Sequence, residues 1–257
     1  FLYLAHWGVH SPLQASKADY DAMAHIPDHR RRVYGAMVRS VDRSVGRVMQ
    51  TLKEEGLDRD TLVIFSSDNG APGYIGIPDT NKPYRGWKLS FFEGGIRVPF
   101  IAHWPARIAA GTRQAAPAHH LDIVPTAMAA AGLTPPGAPA IDGVDLLAQM
   151  NKPKPPGRPL FWRSGEYRAI QEDGWKLISA ERPRKDWLFN LREDPTEQHN
   201  LAEREPQKLA ELKTLLQAHH ADMPRPQWES FLEVPIFIDK TLDQPRAPND
   251  EYTYWVN

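Results

Sequence analysis

Asp68 and Asn69 set a carboxylate beside an amide carbonyl, directly after the short apolar run Thr61-Leu-Val-Ile-Phe65. Hard cations such as Ca2+ and Mg2+ take oxygen ligands of this kind, and take more than two of them. Asp-Asn-Gly70 is also good chemistry for an Asx turn that closes a strand, so turn and metal site both stay open. Lys88 follows Gly86 and precedes Phe91-Phe92. In a partly buried loop such a lysine binds an anionic group or polarises a leaving group, and on a surface loop it needs no role. His10 lies in the loop His6-Trp-Gly-Val-His10-Ser-Pro12, where Gly8 and Pro12 exclude regular structure. Imidazole titrates near neutrality, so His10 is a candidate general acid and His6 a candidate neighbour; a structural histidine is the alternative for each. Glu93 and Arg97, four apart around two glycines, read as a structural pair. His119-His120-Asp122 is read as structural too, because three ligand types within four positions rarely point the same way. His219-His220 end a helix, where imidazolium suits the dipole.

The elements that must hold these groups follow from hydrophobic pattern. Phe1–Ala5 reads as a strand. His29–Glu55 reads as a helix, with Val33, Met37, Val41, Val45, Val48 and Leu52 on one stripe, Asp28 as N-cap and Gly56 as stop. Its arginines at 30, 31, 32, 39, 43 and 47 read as a solvated face. Thr61–Phe65 has no polar interruption and reads as a strand buried on both faces, hence central and parallel, with chemistry just beyond its carboxyl end. Strand, helix and strand then form a βαβ unit. Arg97–Trp104 reads as another buried strand. The run His119–Thr126 leads into an Ala-rich helix with Pro125 in its first turn and Gly132 at its end. From Thr134 to Pro159, prolines at 135, 136, 139, 153, 155, 156 and 159 surround the island Ile141-Asp-Gly-Val-Asp-Leu-Leu147, which predicts a connecting region. Beyond it, Tyr167–Ile170 and Trp175–Ser179 flank Glu172-Asp-Gly174 as a hairpin, Trp187–Leu191 gives a third strand, and Glu205–His220 a helix with Leu209, Leu212 and Leu216 on one side. The fold class is therefore α/β, a largely parallel sheet flanked by helices, with a small C-terminal antiparallel sheet plus helix. The boundary falls near residue 150, giving 1–150 and 151–257.

Composition narrows the partners. The chain has 257 residues, 41% apolar and 25% charged, with a net charge of −1, which gives no sign of a nucleic-acid surface. No apolar run approaches the roughly 20 residues of a bilayer span. With no cysteine, disulfides and thiolate ligands are excluded and the redox compartment stays open. The first Met is Met23 and Phe1–Ala5 looks like mid-strand, so the expectation is a fragment, a processed chain or one without its front half. Trp7, Tyr74 and Trp87 offer faces for an aromatic or sugar group, and the Tyr252-Thr-Tyr-Trp255 terminus offers more.

Taken in order, His10-Ser-Pro12, Ser67-Asp-Asn-Gly70, Arg85-Gly-Trp-Lys88, Glu93-Gly-Gly-Ile-Arg-Val-Pro99, His120-Leu-Asp-Ile-Val-Pro-Thr126, Asp142-Gly-Val144, Leu188-Phe-Asn-Leu191, Asp194-Pro-Thr-Glu197 and Asn200-Leu201 resemble the sulfatase family of the alkaline phosphatase superfamily. The resemblance implies hydrolysis of a sulfate ester, aryl or sugar. It implies that Asp68 and Asn69 are ligands of a catalytic Ca2+ (less often Mg2+), that Lys88 contacts the sulfate and ester oxygen, and that His10 donates a proton to the leaving group. It further implies a formylglycine nucleophile, made from Cys or Ser in a Cys/Ser-x-Pro-x-Arg motif. No serine here has proline two positions on, so that residue, the paired N-terminal aspartates and the rest of the fold are expected upstream. This segment alone is then expected to show no turnover and at most weak metal affinity. The resemblance also admits a phosphonate or phosphate ester hydrolase, or a binding protein that lost the nucleophile. A periplasmic, secreted or lysosomal location fits the family, and nothing in the residues chooses among them.

Overall fold

A computed structural model describes residues 1–134, 137, 141–150, 157–224, 227–228 and 230–256. The prolines at 135, 136, 139, 153, 155 and 156, expected to mark the connecting region, lie outside the described residues. The chain forms two compact units, one of residues 1–64 and 101–112, the other of residues 65–100 and 113–257.

The first unit is built on helices α1 (Lys17–Ala22) and α2 (His29–Glu54). Asp28 accepts a hydrogen bond from Arg31 N–H, and Gly56 leaves the helix at φ +68°, so start and stop fall where expected. Two of the arginines on this exposed face also pair with a buried carboxylate. Asp19 is buried at 2% exposure, and Arg39 Nη1 (2.8 Å) and Arg43 Nη2 (2.9 Å) donate to its carboxylate. Arg43 and the Ser16 hydroxyl hold that carboxyl far below its ordinary range. A carboxylate at this depth needs paired donors, and the second helix supplies them.

Two strand expectations are corrected. Phe1–Ala5 forms no strand: a strand needs a ladder, and among the described residues these have none, with Phe1, Leu2, Tyr3 and Leu4 exposed. The expected βαβ unit therefore lacks its first strand. Strands β1 (Val63–Ser66) and β2 (Phe100–His103) pair with each other as a two-stranded sheet. Among the described residues they have only each other as neighbours, so neither is buried on both faces, and Phe65 and Ile101 are exposed.

The second unit carries the larger core. Strands β3 (Leu160–Ser164), β4 (Tyr167–Glu172), β5 (Trp175–Glu181) and β6 (Arg184–Asn190) form an antiparallel meander. The β4–β5 hairpin turns on Asp173 and Gly174, both at positive φ, as a two-residue primed turn requires. Alternation sends Tyr167, Ala169, Ile178, Trp187 and Phe189 to one face with Phe92 and Ile238. Ile170, Leu177 and Leu188 go to the other, under Leu212 and Leu216 of α6 (Pro206–Asp222). Strands β7 (Glu233–Phe237) and β8 (Tyr252–Val256) form a separate antiparallel pair. The short helices α3 (Glu93–Ile96), α4 (Ile123–Ala130) and α5 (Leu146–Met150) complete this unit; α4 has Pro125 in its first turn and Gly132 beyond its end, as expected.

Among the described residues, one charged side chain of this sheet is fully buried. Lys176, fully buried on β5, lies 2.9 Å from Glu93 Oε1 and 2.8 Å from Glu197 Oε1, and both carboxylates are buried as well. Burial alone would lower the Lys176 ammonium, but Glu197 and Glu93 together raise it. Burial also opposes ionisation of Glu93; Lys176 and Arg97 outweigh it and lower that carboxyl. Glu197, buried beside Glu93, is raised.

Replacing Lys176 by Met is expected to cost about 3–5 kcal/mol, since two buried carboxyls lose their counter-ion. Both carboxyls would then titrate above their unfolded values. Protonation favours folding below that unfolded value, and the benefit is lost as pH rises through the folded one. The deficit should therefore shrink between pH 8 and pH 5 in chemical denaturation. A deficit equal at both pH values would contradict the ion-pair account.

Candidate functional site

The strand β1 ends at Ser66, and the next residues turn sharply. Ser67 Oγ donates to Asn69 O (3.0 Å) and Asn69 Nδ2 to Gly70 O (3.0 Å), so the chain bends here, but among the described residues neither Asp68 nor Asn69 accepts a backbone N–H through its side chain, and the expected Asx turn does not form. The bend does not consume the ligand atoms. The Asp68 side chain is exposed and, among the described residues, makes no hydrogen bond or ion pair; Asn69 uses its amide nitrogen and leaves Oδ1 to accept. A carboxylate and an amide oxygen at one strand end fit a hard cation in donor chemistry. They do not fill its shell: among the described residues no group of three or more His, Asp or Glu side chains gathers for a metal.

The turn is held from behind by backbone. Gly70 N–H donates to Gly95 O (2.9 Å), and a Cβ on Gly70 would lie 1.7 Å from Gly94 O. Gly94 in turn packs against the carbonyls of Arg85 and Gly86, and its N–H donates to Arg85 O (2.7 Å). These contacts require glycine because backbone lies on backbone. Lys88 N–H donates to Ala71 O (3.1 Å), which brings the lysine segment alongside the residues that follow Asn69. Asn81 clamps the same place, accepting from Ala71 N–H (2.8 Å) and donating to Ala71 O (2.8 Å) and Gly86 O (3.1 Å). The Lys88 side chain is half-buried and Leu89 stands at φ +76°. Trp87 is buried beneath Gly73, so it serves packing, while Tyr74 stays exposed.

Long-range contacts fix the rest. Arg85 Nε and Nη2 reach both carboxylate oxygens of Asp239 at 2.6 Å, and Nη2 also pairs with Glu251. Burial opposes the Glu251 charge, yet Lys185, Arg85 and Trp187 hold its carboxyl down to about 2. Arg97 pairs with Glu93 at 3.2 Å, the structural pair expected. His120 Nε2 contacts Ser67 O (2.9 Å) and Ser66 Oγ (3.2 Å), steadying the residues just before Asp68. Asp122 is fully buried and accepts from His119 N–H (2.8 Å), Val144 N–H (2.9 Å) and Arg158. The His119–Asp122 cluster is thus structural, and it docks the Asp142-Gly-Val144 island, where a Cβ on Gly143 would meet Leu121 O at 1.9 Å.

Asp68, Asn69 and Lys88 all belong to the second unit. His10 belongs to the first, in an exposed turn where its N–H donates to Trp7 O (2.9 Å) and its ring Nδ1 contacts Ser11 O (2.8 Å). His6, in the same loop, spends its Nε2 on Ser44 Oγ (2.8 Å), and Trp7 is exposed. The residues that sequence reasoning missed are Asn81, Asp239 and Glu251. Asn81 sits in a polar loop with no pattern, and the other two act on Arg85 across more than half the chain.

Comparison with known proteins bears on this arrangement. The sulfatase family model matches residues 1–133, and a model of the C-terminal part of N-sulphoglucosamine sulphohydrolase matches residues 86–223. The chain is 39% identical over 168 residues to N-acetylgalactosamine-6-sulfatase of Mus musculus, covering 64% of this chain and 31% of that one. It is 39% identical over 153 residues to steryl-sulfatase of Homo sapiens, covering 57% and 25%. Among solved structures, Ps i-CgsB superimposes with a TM-score of 0.82 at 32% identity, covering 89% of this chain and 51% of that one. The chain thus spans about a third of the length of the first of these curated relatives and about half of that solved structure.

Gly70→Ala is expected to cost about 1–3 kcal/mol, because the methyl group must displace Gly94 backbone. The same change should open the Gly70–Gly95 hydrogen bond, read as faster amide exchange across residues 70–96. Exchange as slow as in the parent chain would show that the contact does not hold the turn.

Proposed function

Because the chain belongs to the sulfatase family, we propose that it takes part in sulfate ester hydrolysis, carrying part of the metal site and the sulfate-binding cation. The observation that supports this most directly is Asp68, a carboxylate without a hydrogen-bond or ion-pair partner among the described residues, just past the end of β1, beside an amide oxygen and in a bend that glycine backbone contacts brace. Asp68 and Asn69 would hold Ca2+, or Mg2+ in its place, with further oxygens from beyond residues 1–257. The cation supplies fixed positive charge toward the sulfate oxygens. A formylglycine, also from outside these residues, supplies the nucleophile. Lys88 binds a sulfate oxygen and offsets the charge that grows on the ester oxygen. His10 gives a proton to the departing alkoxide, a task that suits an exposed imidazole near neutral pH. In this reading β1 and β2 belong to a larger, largely parallel sheet. Residues 1–150 form part of the catalytic domain, and residues 151–257, with the β3–β6 meander, a C-terminal subdomain.

The substrate is a sugar sulfate. The relative N-acetylgalactosamine-6-sulfatase is named for one, and two solved relatives are complexes with k-i-k-neocarrahexaose (30% identity, TM-score 0.77) and D-glucosamine-2-N,6-O-disulfate (25% identity, TM-score 0.58).

The test uses a protein that joins this chain to a formylglycine-bearing segment, assayed on a hexosamine 6-sulfate, an aryl sulfate and an aryl phosphonate ester. The sugar sulfate should react, and Lys88→Ala should lower kcat/KM about 10²–10³-fold. His10→Ala should slow the sugar sulfate far more than an aryl sulfate with an acidic phenol, whose leaving group needs no proton. Asp68→Ala should weaken Ca2+ binding in calorimetry. Faster turnover of the phosphonate would reassign the chemistry, and no turnover of any ester would favour a binding role.

A further inference from the structure

At the C-terminal end of α6 a cavity of about 190 Å3 lies against β3 and β4, lined by Phe161, Arg163, Arg168, His219 and His220 among others. Its charge pattern is unusual for a sheet. Arg163 and Arg168 stand directly opposite one another in the β3–β4 ladder, an arrangement in which like charges repel. On the α6 side, Arg163 Nη1 approaches His220 Nδ1 at 3.4 Å, and His219 is the preceding residue. Burial and the nearby Arg168, Arg163 and His219 lower the His220 imidazolium, the mark of a site already rich in positive charge. Glu166, itself exposed, offsets part of it through Arg168.

One donor in this group is stranded. Arg168 Nε is buried and has no hydrogen-bond partner among the described residues. A buried guanidinium N–H without an acceptor is costly, the more so for a charged donor, unless a ligand completes it. Beside the cations lies an aromatic surface, with the Phe161 ring stacked on His219 at 3.8 Å and 5°. Guanidinium forks match the geometry of sulfate and carboxylate, and flat ring faces suit the apolar side of a pyranose.

We propose that this cavity is a second anion site, which binds a sulfate or carboxylate group carried on an acidic saccharide. Arg163 and Arg168 supply the donors and the Phe161–His219 stack supports the sugar. The site shares no residue with Asp68, Asn69, Lys88 or His10, and it stands whether or not the hydrolysis reading holds.

The test titrates the full chain by calorimetry with three probes: a sulfated galactan oligosaccharide, the same sugar desulfated, and inorganic sulfate. It is repeated on Arg163→Gln, Arg168→Gln and Lys88→Ala. Arg163 is exposed, so its variant carries little folding risk, and thermal melts check both arginine variants. The sulfated sugar should bind at least tenfold more weakly to each arginine variant, Lys88→Ala should keep the arginine-dependent binding, and the desulfated sugar should not bind. Inorganic sulfate should bind more weakly than the sulfated sugar and lose affinity in the same two variants; equal affinity for the free ion would reduce the site to one for small oxyanions and overturn the saccharide assignment. Binding lost only in Lys88→Ala would place the ligand at the hydrolytic site and overturn the proposal, as would no binding by the parent chain.

Discussion

The second unit depends on a lysine where a sheet would ordinarily place an aliphatic residue. Lys176 is fully buried on a central strand and touches Glu93 and Glu197 at ordinary ion-pair distances. Its desolvation cost is several kcal/mol by itself and is offset only when both carboxylates are in place. Each carboxylate also makes a second contact. Glu93 meets Arg97, and Glu197 Oε2 accepts the Glu93 N–H at 2.6 Å, which satisfies an orphan donor at the start of α3. Glu197 reaches that position from a left-handed backbone at φ +59°. The strand, the short helix and the turn after β6 are therefore held by one charge cluster, and none of the three sits correctly without the others.

From that cluster the constraint passes to the proposed metal ligands without further ionic contacts. α3 carries Gly94 and Gly95, whose backbone abuts Arg85, Gly86 and Gly70, and Gly70 follows Asp68-Asn69 by one residue. Arg85 is fixed independently by Asp239 and Glu251. Polar side chains hold the outer ends of this path and glycine its middle. That division is physical: a charge pair tolerates small shifts through side-chain torsions, whereas backbone against backbone tolerates almost none.

Local features were the most legible in the sequence. The α2 stripe with its Asp28 and Gly56 ends, the Asp173-Gly174 hairpin and the Leu212/Leu216 face of α6 each rest on periodicity or turn chemistry within a few residues. The motifs around Asp68 and Lys88 were legible because they are ordered along the chain, although the bend at Ser67–Gly70 closes through Ser67 Oγ and the Asn69 amide nitrogen and not through an Asx turn. The failures were of partnership. Phe1–Ala5 has strand composition but forms no strand among the described residues, and Thr61–Phe65 forms β1 with a single partner: a strand becomes one by pairing, and pairing is not a property of the segment. Arg39 and Arg43 looked like solvated charges because Asp19 lies twenty positions and more away, in another helix. Lys176 reads as an ordinary polar position of a hairpin; its burial follows only from where Glu93 and Glu197 arrive.

The shared ion cluster also bears on how such a protein can be recombined. Sequence would suggest cutting near residue 150 and exchanging the C-terminal half for that of a relative. The physical seam runs elsewhere: residues 85–97 are bound to β5, to the turn at Glu197 and to Asp239 and Glu251 by buried or half-buried charges. A graft that leaves this loop behind would separate the Lys176 ammonium from Glu93, and Arg85 from Asp239 and Glu251. The inheritable module is a loop together with a sheet that lies distant in the chain, so the two are constrained to diverge in step.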